Sequence, residues 1–207
     1  MKLVIVGDTH GGHARLGRLS GDVLIHCGDA EDLFGASGYD LESIDEWFGR
    51  QDFEHILYVG GNHDRGLEAA LRRTPQPYRN ATVLHDTSVT ISGVKFYGAP
   101  WVPELSRHAF YANERALRAA WLKIPADVDV LITHTPPAGV LDVSSRGQSL
   151  GCPLLAGRVK ALGPRLHCFG HVHASAGVQV QESTTFVNAT SVNSALEIAN
   201  LPFEFEL

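Results

Sequence analysis

Several familiar signals are missing from this 207-residue chain. It has three cysteines, Cys27, Cys152 and Cys168. An odd number so far apart implies no disulfide framework. Cys27 and Cys168 sit in apolar runs and read as small core residues. No apolar stretch approaches the roughly 20 residues that span a bilayer. Met1 leads straight into "KLVIVGD" without a charged n-region or a small-residue cleavage site, so a leader and a membrane anchor are not expected and the chain reads as cytoplasmic. Basic runs are absent and the formal charge is −6, which argues against a duplex nucleic-acid groove. Disorder is excluded by composition, because 44% of residues are apolar and only 19% charged.

What is present is a series of short apolar runs with strand character. They fall at residues 2–6, 23–27, 56–59, 89–91, 94–97, 130–133, 167–169, 177–180, 185–187 and 203–207. Helical spacing appears between them at 41–48, 67–73, 107–122 and 154–162. Ser92–Gly93 reads as a hairpin turn. Without repeats or a linker, one domain over 1–207 is expected. Its class is α/β with a second, partly antiparallel sheet.

Five of the apolar runs end in the same manner. "LVIVGDTH" delivers Asp8 and His10, "VLIHCGD" Asp29, "ILYVGGNHD" Asn62 and His63, "VLITHTPP" His134, and "HCFGHVH" His171 and His173. Open α/β sheets bind ligands beyond the carboxyl ends of their strands, so these side chains should meet on one rim. Glycines 7, 28, 61 and 170 precede ligands and let the backbone approach the site closely. Two carboxylates, an amide oxygen and five imidazoles form a thiolate-free N/O set, suited to Mn²⁺, with Fe, Zn²⁺, Ni²⁺ or Co²⁺ as alternatives. So many donors exceed what one tetrahedral ion needs and suit a pair, which clamps the entering and leaving oxygens of a phosphoryl displacement.

In order, "GDTH", "HCGD", "GGNHD", "THTPP" and "GHVH" resemble the motif series of the calcineurin-like metallophosphoesterase superfamily. The resemblance implies a single-domain β-sandwich of two mixed sheets flanked by helices, four αββα layers. It implies one metal on Asp8, His10 and His173, a second on Asn62, His134 and His171, and Asp29 bridging them. His63 would stay off the metals and face the phosphate as hydrogen-bond donor or general acid, oriented by Asp64. The reaction implied is in-line attack on phosphorus by a metal-bridging hydroxide. An alternative for Asp64, from position alone, is capping of the following helix.

The chain departs from Ser/Thr protein phosphatases, whose G-D-x-x-D-R-G reads here "GDAEDLF", with Leu33 and Phe34 at the arginine and glycine. It is most similar to the MPPED-like class III cyclic-nucleotide phosphodiesterase branch through "FYGAPWVPE", "THTPPAGVLD", "GCPLL" and "LHCFGHVHASAG". That branch implies small phosphodiester or nucleotide substrates, with 2′,3′-cyclic nucleotides favoured over 3′,5′. Trp101, or His108 or Phe110, is placed to stack on a base, Asn113 to bond a base or phosphate, and Arg146 to meet a phosphate. The alternatives are a broad phosphomonoesterase and a nucleotide-sensing or scaffold protein. Oligomeric state is left open.

Overall fold

The computed structural model describes residues 1–33 and 41–207; Phe34, compared above with a phosphatase glycine, lies outside them. Strand β1 (Lys2–Val6) pairs in parallel with β2 (Ser20–His26), which pairs in parallel with β3 (Asp52–Tyr58) and so to β4 (Thr82–Val83). The antiparallel β11 (Phe203–Glu206) closes the far edge beside β1.

The second sheet runs β5–β6–β7–β8–β10–β9. Its parallel centre is β6 (Val94–Ala99), β7 (Val130–Thr133), β8 (Leu166–Phe169) and β10 (Thr184–Asn188). The edges β5 (Thr87–Ile91) and β9 (Gly177–Gln181) are antiparallel. Ile91 pairs with Val94 across Ser92 and Gly93, both at positive φ, the two-residue turn expected there.

Side-chain alternation explains the layers. Leu3, Ile5, Ile25, Cys27, Leu57 and Val59 meet Phe96, Ile132, Cys168 and Val187 between the sheets. The opposite residues of the same strands, Val4, Val6, Leu24, Ile56 and Tyr58, pack on α1 (Leu41–Gly49) and α2 (Arg65–Leu71). Tyr97, Leu131 and Phe169 likewise pack on α3 (Glu114–Leu122) and α4 (Pro153–Leu162). Strands covered on both faces read as continuous apolar runs, and each such large side chain contributes roughly 1.5–3 kcal/mol of burial. Two mixed sheets between helices are thus the four layers expected.

Helix α3 begins later than the 107–122 pattern suggested, because Asn113 caps it; the two-residue strand β4 was not anticipated. Among the described residues no helix is long and apolar enough to cross a membrane.

Candidate metal centre

The parallel strands of both sheets end on the same side, and their following turns are stitched together. Asp8 N–H donates to Gly28 O (2.8 Å), His10 N–H to Asp29 O (3.0 Å) and Gly170 N–H to His134 O (3.0 Å). His171 N–H reaches across the sandwich to both Asp8 carboxylate oxygens at 2.9 and 3.1 Å. Asp8, His10, Asp29 and His171 all adopt positive φ. This is a region that side chains other than glycine enter uncommonly and that clusters at functional sites.

Close approach is enforced by two glycines. A Cβ on Gly61 would fall 2.2 Å from Asp29 Oδ1, and one on Gly170 2.2 Å from Asp8 Oδ2.

Within this rim Asp8, His10 and His173 form one compact donor group and Asp8, Asp29 and His134 another. His10 Nε2 and His173 Nε2 are 3.2 Å apart, and His173 Nε2 is 3.7 Å from Asp8 Oδ1. His134 Nε2 lies 3.4 Å from Asp29 Oδ2 and 3.0 Å from Asn62 Oδ1. Its Nδ1 donates to Cys27 O at 2.8 Å, which orients the ring. The His171 ring stands 5.1 Å from that of His134.

Charge in the rim is set by burial and by these neighbours. Burial disfavours ionisation of Asp29, but His134 and His10 hold its carboxyl well below the usual range. Burial is likewise overridden at Asp8, lowered by the nearby His173 imidazole and the charge of His134. At His134 burial opposes the charged form, yet Asp29 and Asp8 push it up to about 9. Burial takes His171 down to about 3, with the charge of His134 acting in the same direction. These side chains suit divalent cations. Two carboxylates held ionised inside a protein demand positive charge at short range, and the imidazole protons that supply it here are those a metal displaces on binding.

His63 stands beside this group. Its backbone N–H donates to Asp29 Oδ1 at 2.7 Å, and its ring lies between those of His10 and His108, 5.4 Å from each. Burial lowers it to about 4, partly offset by Asp29.

Asp64 is placed differently from both expectations. Its carboxylate accepts Asp29 N–H (2.8 Å), Gly61 N–H (2.7 Å), Glu31 N–H (3.0 Å) and the Tyr58 hydroxyl (2.6 Å), not the His63 ring. Nor does its side chain cap α2. Glu31 does so, accepting Gly66 N–H and Leu67 N–H at 2.9 and 2.8 Å.

The expected substrate contacts are also employed elsewhere. Trp101 Nε1–H donates to Asp86 Oδ1 at 2.7 Å, and its ring packs on His85. Asn113 Oδ1 accepts Ala116 N–H at 3.0 Å as the cap of α3. Phe110 is buried, its ring filling the space that a Gly60 side chain would need. Arg146 is exposed on a turn closed by Gly147 N–H to Ser144 O. Ser144 and Ser145 of that turn, rather than Arg146, join His171 and His173 around a cleft of about 220 Å³.

Two supporting histidines carried no signal beyond their apolar setting. His26 Nδ1 accepts Gly28 N–H (3.2 Å), so its Nε2–H donates to Thr9 Oγ1 (3.1 Å), tying the first two ligand turns together. Thr133 donates to Thr135 O (2.7 Å), so His167 Nε2–H donates to Thr133 Oγ1 (2.9 Å), bracing the turn that carries His134.

Comparison with known proteins identifies the family and the fold. A family model described as calcineurin-like phosphoesterase matches residues 1–175. Human metallophosphoesterase domain-containing protein 1 is 33% identical over 232 aligned positions, covering 100% of this chain and 71% of that protein. The UPF0046 protein K07C11.7 of Caenorhabditis elegans is 35% identical, covering 99% and 74%. Among solved structures, TT1561 of Thermus thermophilus superposes with a TM-score of 0.57 at 15% identity, covering 90% and 88%, a likeness of fold. The chain belongs to the calcineurin-like phosphoesterase family, whose members are metal-dependent phosphoester hydrolases.

Proposed function

We propose that the chain is a two-metal phosphodiesterase that hydrolyses small phosphodiesters, with cyclic nucleotides as the favoured class and 2′,3′-cyclic ahead of 3′,5′. One observation carries the reading: two buried, ionised carboxylates from adjacent strand ends face a shared set of imidazoles, with one further imidazole, His63, standing just beyond.

Asp8, His10 and His173 would hold one cation, and Asn62, His134 and His171 the other, with Asp29 shared. The thiolate-free donor set suits Mn²⁺, Fe or Zn²⁺ over soft metals, and Mn²⁺ is the cation proposed. Bound there, such ions supply Lewis acidity, which acidifies water and offsets phosphate charge.

The remaining work falls to the chain itself. Asp29 Oδ1 is engaged by His63 N–H, leaving Oδ2 directed at His134 and His10. That bond ties the backbone of His63 to the shared carboxylate, so ring and ligand hold one spacing. The His63 ring donates N–H to a phosphate or leaving oxygen, a role worth typically 10²–10⁴-fold in rate. The cleft beside His171 and His173, with Ser144 and Ser145, leaves room for an ester arm, which suits a diester better than a closed monoester pocket.

His63→Ala tests the reading. It should retain metal while lowering turnover of bis-p-nitrophenyl phosphate by about 10²-fold or more. Unchanged turnover removes His63 from the chemistry. Faster hydrolysis of p-nitrophenyl phosphate than of the diester by the native chain would favour a monoesterase, and comparison of 2′,3′- with 3′,5′-cAMP decides the isomer.

A further inference from the structure

Tyr58 closes β3 on the outer face of its sheet and is fully buried. Its ring packs against Phe48 and Tyr78 at centroid distances of 5.7 and 5.5 Å. A phenol in such a place is costly unless its hydroxyl finds partners. This one donates to Asp64 Oδ2 at 2.6 Å and accepts Ala30 N–H at 3.3 Å.

Asp64, itself fully buried, collects the amides of Asp29, Gly61 and Glu31. The turn it gathers holds Asp29 at φ 57°. Asp29 in turn gives Oδ1 to His63 N–H and leaves Oδ2 directed at His134 and His10, 3.4 and 3.9 Å away. A continuous set of short bonds therefore runs from a core phenol on the helix-covered face to Asp29, whose carboxylate faces His134 and His10.

We propose that Tyr58 is a positioning residue for metal binding, setting the orientation of the Asp29 carboxylate through Asp64. The inference rests on the reading of Asp29 as a metal ligand. Tyr58 itself touches neither the cations nor the substrate. Without its hydroxyl, Asp64 loses a donor where water does not reach, and the Ala30 amide loses its acceptor. The carboxylate shifts to recover those bonds and carries the Asp29 and Gly61 amides with it. Such outer partners of ligands typically matter by about 10–100-fold in metal affinity.

The neighbouring Tyr78 supplies a matched control, because its hydroxyl is also buried and has no hydrogen-bond partner among the described residues. Full-length native protein, Tyr58→Phe and Tyr78→Phe are stripped of metal and titrated with Mn²⁺ against a competing chelator, with urea unfolding of the stripped proteins in parallel. Tyr58→Phe should bind Mn²⁺ about 10–100-fold more weakly, while Tyr78→Phe matches the native protein. Release of Mn²⁺ from loaded protein into excess chelator gives a second reading that does not require the stripped variant to fold. It should be at least about tenfold faster in Tyr58→Phe than in Tyr78→Phe. Equal affinities and equal release rates in the two variants overturn the proposal. A native chain that binds no Mn²⁺ overturns the metal reading beneath it as well.

Discussion

Replacing Gly61 by alanine should disarm the proposed metal centre through a single methyl group. A Cβ at this position would lie 2.2 Å from Asp29 Oδ1, 2.6 Å from Asp29 N and 2.7 Å from His134 Cε1. Real Cβ contacts essentially never fall under 3.0 Å, so the carboxylate must retreat by about 0.8 Å. Metal–ligand distances tolerate only about 0.2 Å, and a working site about 0.5 Å. Gly61 does not sit at positive φ, so alanine brings no backbone strain and the effect is one of contact alone. The displaced oxygen also carries the His63 amide, so ligand and hydrogen-bond donor move together. Overpacking should cost about 1–3 kcal/mol of folding stability. Mn²⁺ affinity should fall by about 100-fold, equivalent to ~2.7 kcal/mol. Metal content after dialysis against buffered Mn²⁺, diester turnover and urea unfolding measure the three effects. Gly157→Ala is the control, since among the described residues nothing beyond the backbone of α4 itself stands within 4 Å of a Cβ there. Native metal content and native turnover in Gly61→Ala would refute the reasoning that places Asp29 against this backbone.

Acid should weaken the fold through its buried neutral histidines. Burial lowers His167 from 6.5 to about 3. The unfolded chain therefore binds a proton between those values that the folded chain refuses. This contribution is complete above about pH 6.5 and is lost as pH falls toward 3, at up to about 1.4 kcal/mol per pH unit. Urea unfolding of metal-free protein across pH 4–6.5 should show His167→Gln with a slope shallower by about one proton; identical slopes would mean that His167 is not held neutral. Asn113→Ala should cost about 0.5–2 kcal/mol of stability as a lost helix cap and leave KM for the diester unchanged. A raised KM without loss of stability would return Asn113 to the substrate.

Legibility in the sequence followed range. The rim of candidate donors was readable because each strand run is continuous and ends beside acid, amide or imidazole, with a glycine before it in four of the five. A strand buried on both faces cannot hold those groups internally, so they collect at its end. Asn113 and Trp101 misled for an opposite reason. Each is of a type that can contact a nucleotide, but Asn113 found an orphan amide at the start of α3 and Trp101 a carboxylate from the β4–β5 turn. Tyr58 was invisible, since within "ILYV" an aromatic reads as core and nothing local reveals that its hydroxyl meets a buried acid. The same holds for Asp64, whose partners Asp29 and Glu31 lie 35 and 33 residues away in the chain.

The order of residues alone established apolar strand runs alternating with helices and five runs that end in N/O donors, because hydrophobic period and donor chemistry are local properties. Only the tertiary structure decided which ends meet. His10 touches His173 across 163 positions, and Asp29 takes its posture from Asp64 and Tyr58. The first contact depends on two sheets packing with their carboxyl ends aligned and the second on β2 and β3 lying side by side, and no window of sequence contains either arrangement.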